Sequence, residues 1–331
     1  MLNYVNDTMI SAIVVVGQRN DDLEQLIQDY WQALESVGRP FELIVVLDGH
    51  KSDAWKALNS ARQRGLDLKI VRLARVFGES TALICGFDQA HGEIILTLPA
   101  YYQVAADAIP KLFQELADSD MVIARRDPRR GSRFEHMRRR VFHRLLGGIT
   151  GMRFGDLGCS VRLMHRRVLE ELRLYGDQHR FLAALARHAG FKVKEVAVPQ
   201  SEKDVFQSGY RVRDYLYRLL DLFTVFFLFR FTKKPLRFFG IMGAIPFIIG
   251  GLILGMLIIE RLFFDIALAD RPAMLLSSLL VVLGLQLISL GLIGELIIFT
   301  HARSLKEYRI EKIIGGDADE APPSKQKKSA V

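Results

Sequence analysis

The sequence is short of several features that would fix a class at once. Cys85 and Cys159 are its only cysteines in 331 residues. They lie far apart without metal-ligand spacing, which argues against a disulfide scaffold or a zinc module and leaves two reduced, structural thiols as the expectation. Residues 1–20 lack the basic start and cleavage site of a signal peptide, so the first domain is expected to stay on the side where it is made. No internal repeat stands out. Acidic excess is absent too: 45 Lys and Arg face 37 Asp and Glu, for a net charge of +8 and a pI near 9.5. The expected partner is therefore anionic. No nucleic-acid-binding module is recognisable, which turns that expectation from nucleic acid toward a phospholipid surface or a phosphorylated ligand.

Charge is missing altogether from residues 240–259 and 274–294. Each stretch approaches the ~20 residues a helix needs to cross hydrocarbon. Half of all residues are hydrophobic, and the excess gathers after about residue 215. Arg230, Lys233, Lys234 and Arg237 precede the first stretch, and His301, Arg303, Lys306 and Arg309 follow the second. The positive-inside bias places both flanks, and hence both termini, in the cytoplasm, with the short loop between the spans outside. Residues 206–237 mix arginines with Leu, Phe and Tyr, which suits amphipathic helices in the headgroup layer. Residues 301–331 form a cytoplasmic tail whose small, polar and charged end is expected to be disordered. Spans of about 240–259 and 274–298 make a transmembrane hairpin over 238–300. Glu295 sits near its end and needs a partner, either a basic residue or another subunit. Gln286 and Ser289 could mediate helix contacts. Gly243, Gly250, Gly251 and Gly255 offer close packing, and the spacing of the last two is compatible with a homo-oligomer.

Before residue 205 the pattern is different. Short apolar runs at 13–16, 43–47, 68–73, 93–98 and 121–124 read as strands separated by amphipathic helices, which makes βαβ units and a mostly parallel sheet. Asn20 and Ser52 read as caps of the first two helices, and Gly78 precedes the third. Ligands of such sheets bind beyond the carboxyl ends of the strands, so the turns after Val16, Leu47, Leu73 and Leu98 are where chemistry is expected.

The motifs in those turns, in their order, resemble the family-2 glycosyltransferases that act on polyprenyl phosphates. Asn20-Asp21-Asp22 stands at that family's Asn-Glu-Glu, and Leu47-Asp48-Gly49-His50 at its Asp-Asp-Gly-Ser. Arg75-Val76-Phe77-Gly78 is similar to its Arg-Asn-Phe-Gly, and Asp156, Gly158, Cys159 and Arg162 to its Asp-Tyr-Gly-Cys and following Leu-Arg. Gly291-Leu292-Ile293-Gly294-Glu295 is similar to its Gly-Leu-Leu-Gly-Glu. The resemblance runs from about residue 10 to 312. It implies an A-type nucleotide-sugar glycosyltransferase domain over 1–205, Rossmann-like, followed by the hairpin. It also implies inverting transfer from a nucleotide-sugar to a polyprenyl phosphate at the inner leaflet, in cell-envelope polysaccharide or glycolipid synthesis. Asp48, Arg75, Gly78 and Gln103 would line the donor side. Arg126, Arg139, Arg162, Ser208 and Tyr210 would face the acceptor phosphate, with the register within 138–140 left open. Asp156 either orients an acceptor or a substrate hydroxyl or is a structural carboxylate paired with Arg162.

The chain departs from the family at four motifs. The Asp-x-Asp-Leu-Gln whose carboxylates hold a divalent ion reads Pro99-Ala100-Tyr101-Tyr102-Gln103, and Leu47 replaces the first Asp after the second strand. Asp177-Gln178 stands for a Glu-Arg pair, and residues 203–210 for an Arg-x-x-Gly-x-Ser-Lys-Tyr. Neither proline nor neutral tyrosine supplies the anionic oxygens that magnesium or manganese prefers, so no divalent cofactor is expected. Arginines, which pair phosphate oxygens in bidentate fashion, are the available substitute, and they crowd residues 125–140. A polyprenyl phosphate is already an anion near neutral pH, so no general base is obligatory. Two readings follow: a transferase with a rebuilt donor site, or a pseudo-glycosyltransferase that binds or scaffolds at the membrane.

Overall fold

The computed structural model describes residues 8–17, 19–128, 137, 144, 147, 154–172, 178–204, 235–264 and 272–301. The chain divides into two units, 1–232 and 233–331.

The first unit is built on a seven-stranded sheet of order β3-β2-β1-β4-β6-β5-β7. Its strands are β1 (Ile10–Val16), β2 (Phe41–Leu47), β3 (Leu68–Arg72), β4 (Ile94–Pro99), β5 (Met121–Arg126), β6 (Arg162–His165) and β7 (Val193–Val198). All neighbours pair in parallel except β6, which runs antiparallel to both β4 and β5. β1 and β4 are buried almost end to end, as strands covered on both faces must be, and this explains their unbroken apolar sequence. One face carries α1 (Leu23–Glu35), α2 (Ser52–Gln63) and α4 (Ile109–Glu115) on a core that includes Leu26, Tyr30, Leu58 and Leu112. The other carries α3 (Glu79–Asp88), α5 (Arg166–Glu171) and α6 (Leu182–His188) on Ile13, Ile44, Ile95 and Ile123.

Two capping expectations are corrected. Asp22, not Asn20, caps α1, its carboxylate accepting from the Gln25 amide at 3.3 Å. Ser52 lies inside α2, whose N-cap Lys51 makes no side-chain cap bond. There the Lys51 ammonium turns instead to the Gly17 carbonyl at the end of β1.

In the second unit two helices, α7 (Pro235–Phe264) and α8 (Pro272–His301), are long and apolar enough to cross a membrane. Both extend past the uncharged stretches, so their ends outreach a ~30 Å hydrocarbon core by one or two turns. Pro246 lies within α7 without ending it. The two helices touch through small residues. A Cβ on Gly243 would stand 2.6 Å from the Gly284 carbonyl oxygen, one on Gly284 the same distance from that of Gly243, and one on Gly250 2.7 Å from that of Ser277. Gly251 and Gly255 have nothing within 4 Å, so the small-residue spacing they form lies away from this contact. Among the described residues the Glu295 carboxylate accepts from the Leu236 amide at 3.5 Å. That amide belongs to the first turn of α7, where backbone donors lack intrahelical partners.

Candidate active site

The carboxyl ends of the parallel strands gather the polar residues of the first unit. Asp48 follows β2 and is 4% exposed. Its two oxygens accept from the amides of Phe77 at 2.7 Å and Gly78 at 3.0 Å. Gly78 caps α3 at φ +97°, a conformation that side chains disfavour. Asp48 therefore clamps the turn that starts α3 and positions exposed Arg75, whose guanidinium lies 4.9 Å over the Phe77 ring. Asp48→Ala strands both amides and is expected to cost about 1–3 kcal/mol, read as a lowered thermal midpoint.

After β4, the Pro99 carbonyl accepts from the buried Tyr30 hydroxyl at 3.1 Å. Gln103, 2% exposed, joins this segment to the loop before β6. Its Nε2 donates to the Tyr101 hydroxyl at 2.7 Å and the Gly158 carbonyl at 3.4 Å, and its Oε1 accepts from the Ser160 amide at 2.8 Å. Gln103 is thus a strut of the site rather than a free donor-side amide. Arg19 covers the Tyr101 ring at 4.1 Å and pairs with Asp204 at 3.2 Å.

Asp156 is 1% exposed and its partner is Arg126 at the end of β5. Arg126 Nε donates to Oδ2 at 2.7 Å and Nη2 to Oδ1 at 3.1 Å, a bidentate fork. Burial pulls the Arg126 pKa down, but the hydrogen bonds and charge of Asp156 outweigh it and raise it. Asp204 adds a longer approach, 3.8 Å from Arg126 Nη1. Glu195 of β7 holds the same loop from behind, accepting from the amides of Gly155 and Asp156. The structural pairing expected between Asp156 and Arg162 is therefore replaced by one with Arg126, and Asp204 joins that cluster from the segment after β7.

Arg162 begins β6 opposite Thr97 and Ile123. It is 4% exposed, and burial pulls its pKa down. Close by, Glu79 in the first turn of α3 meets His179 at 2.6 Å, and Ser80 Oγ lies 3.0 Å from His179 Nδ1. Sequence reasoning missed Arg19, Glu79, His179, Glu195 and Asp204. Only Asp204 lay in a motif that the resemblance had marked. Arg139, Ser208 and Tyr210 lie outside the described residues.

A divalent ion does not fit what stands after β4. Tyr101 presents a phenol that burial keeps protonated, its hydroxyl is taken by Gln103, and the Pro99 carbonyl is taken by Tyr30. Among the described residues no three His, Cys, Asp or Glu side chains converge as a metal site. The neutral donors that remain are poor ligands for a hard cation.

Residues 11–173 match the family described as glycosyl transferase family 2. Over 310 residues the chain is 28% identical to an undecaprenyl-phosphate 4-deoxy-4-formamido-L-arabinose transferase of Enterobacter sp. strain 638, covering 92% of this chain and 93% of that one. The enzyme of the same name from Proteus mirabilis is 28% identical over 320 residues, 95% and 97% of the two chains. Among solved structures, glucosyl-3-phosphoglycerate synthase from Mycobacterium tuberculosis, in complex with Mn2+, UDP and glucosyl-3-phosphoglycerate, superposes with a TM-score of 0.51 at 16% identity. It covers 67% of this chain and 79% of that one, a likeness of fold. Sheet order, the cluster at its carboxyl rim and the match converge on one stretch: residues 11–173 of the chain are a glycosyl transferase family 2 domain.

Proposed function

We propose that the chain is a membrane-bound glycosyltransferase that moves a sugar from a nucleotide-sugar donor to a polyprenyl phosphate at the cytoplasmic leaflet. The observation that carries this reading is the extent of the similarity to the undecaprenyl-phosphate transferases, 92% of this chain and 93% of the relative, hairpin included. In the reaction an oxygen of the acceptor phosphate attacks the anomeric carbon while the bond from that carbon to the nucleoside diphosphate breaks. The electron pair leaves on the diphosphate, and the acceptor needs no deprotonation because its phosphate is already ionised.

In this reading the clamp of Asp48 on Phe77 and Gly78 shapes the donor side, with Arg75 at its lip and Gln103 bracing its floor. The Arg126–Asp156 pair stands at the acceptor side with Asp204 beside it. There Asp156 keeps Arg126 fixed and charged, a positioning role. Arg139, Ser208 and Tyr210 complete the acceptor side. Both flanks of the hairpin face the cytoplasm, where their basic residues meet anionic lipid at ~1 kcal/mol per residue. A homo-oligomer rests on Gly251 and Gly255, the small residues that α8 leaves open.

The test is transfer of label from a panel of nucleotide-sugars, one carrying 4-deoxy-4-formamido-L-arabinose, to undecaprenyl phosphate in detergent. Labelled, solvent-extractable lipid is the expected product. Its absence with every donor, from protein shown to be folded, leaves the scaffolding reading.

A further inference from the structure

Arg162 is fully packed at the head of β6, and among the described residues its guanidinium makes no hydrogen bond and no ion pair. Its backbone pairs in the sheet, and its carbonyl also accepts from Thr97 Oγ1 at 3.4 Å. Arginine does not escape such a position by losing its proton. A buried cation without a partner is costly, and folded proteins rarely leave one in that state. The nearby acids do not relieve it. Asp156 is gripped by Arg126 at 2.7 Å and Glu79 is held by His179 at 2.6 Å. The lowered basicity of Arg162, caused first by burial, agrees with a charge that lacks a counter-ion.

Its place in the fold says which anion would supply one. Arg162 pairs in register with Thr97, two residues before the Pro99-Ala100-Tyr101 turn. Its electrostatic neighbours are Cys159, Glu79 at the start of α3, Tyr101 at that turn, and Asp156. Glu79 and Tyr101 mark the donor side, on the α3 face of the sheet, and Asp156 marks its border with the Arg126 side. The same turn offers no ligand set for a divalent ion, as shown above. The positive charge that a metal ion would bring to a diphosphate is thus missing from the turn and present, unpaired, one layer beneath it.

We infer that Arg162 receives the diphosphate of the nucleotide-sugar donor, so that donor binding by this chain requires no divalent cation. The inference rests on the glycosyltransferase reading and moves Arg162 from the acceptor side to the donor side. As the bond from the anomeric carbon to the diphosphate breaks, the guanidinium stabilises the charge gathering on the departing oxygen. No proton or redox equivalent is exchanged.

The experiment uses full-length protein in mild detergent, wild type and the variants Arg162→Met and Arg162→Lys. Thermal midpoints are read with UDP, GDP or farnesyl phosphate, each in EDTA and in manganese, beside transfer assays in the same buffers. The expected result is a nucleoside-diphosphate shift of equal size in EDTA and manganese, with product formed in both. Arg162→Met should weaken nucleoside-diphosphate binding by at least about 10-fold and leave farnesyl phosphate binding unchanged. Without ligand it should melt no lower than wild type, because it removes an unpaired buried charge. Arg162→Lys should retain part of the nucleotide shift.

Product and nucleotide shift that both require manganese would overturn the inference while the transferase reading stands. Loss of farnesyl phosphate binding in place of nucleotide binding assigns Arg162 to the acceptor and overturns it as well. A drop of several degrees for ligand-free Arg162→Met would mean an internal partner, with the same consequence. No nucleotide binding and no transfer under any condition sinks the transferase reading and this inference with it.

Discussion

Replacing Asp156 by asparagine is expected to lower the thermal midpoint of the glycosyltransferase unit by roughly 6–20 °C and to abolish transfer. The change leaves the Arg126 guanidinium, 7% exposed, with half of its bidentate partner and, for counter-charge, only the longer approach of Asp204 at 3.8 Å. Breaking a buried pair from one side costs about 3–5 kcal/mol, and each kcal/mol moves the midpoint of a unit this size by about 2–4 °C. Arg126→Met should cost a similar amount, since it removes the bidentate donor of a carboxylate that is 1% exposed. The double variant Arg126→Met/Asp156→Leu should recover much of that stability, because both charges leave together, yet recover no transfer. Recovery of transfer along with stability would show that the pair only supports the fold.

The hairpin carries the other large effect. Gly243→Leu or Gly284→Leu drives a side chain into the opposing helix, where the obstacle at 2.6 Å is a backbone carbonyl that cannot swing aside. Overpacking of a close contact costs about 1–3 kcal/mol, and these positions belong at the top of that range. Gly251→Leu is the control: its Cβ meets nothing within 4 Å, so its midpoint should stay near wild type or rise slightly through better helix propensity. Circular dichroism melts of the three variants in one detergent separate the outcomes. A Gly251→Leu melt as low as that of Gly243→Leu would mean that the contact between α7 and α8 has been wrongly located.

The sheet was legible up to β5 because its strands are short apolar runs bounded by turn residues, as in Phe41–Leu47 followed by Asp48-Gly49. β6 and β7 were not. Arg162–His165 spans four residues with a charged or polar group at each end. Val193–Val198 is an edge strand whose apolar run is broken by exposed Lys194 and half-buried Glu195. Neither looks like a buried parallel strand. The cap of α1 was misread by two residues, because Asn20 and Asp22 are both good caps and only backbone geometry chooses between them.

At the site, the motifs marked polar residues at strand ends but not the pairings among them. Asp156 and Arg126 are separated by 30 positions and meet only because β6 enters the sheet beside β5. Gln103 was read as a ligand contact, but its amide is committed on both sides to the loop before β6. A single sequence marks that a polar residue stands at a strand end. It does not say whether that residue faces a ligand or another loop.

The reversed direction of β6 also bears on how this scaffold tolerates change. β5 leaves the sheet at Arg126 and its neighbour β6 enters at Arg162, with Ile123 opposite Arg162. Everything from residue 127 to 161 therefore departs from and returns to one rim, like the bight of a rope made fast at two adjacent cleats. Lengthening or shortening such a bight shifts no strand register, and the entropy of closing it grows only slowly with length. Sequence changes in the arginine-rich stretch within it can therefore leave every rung of the sheet in place.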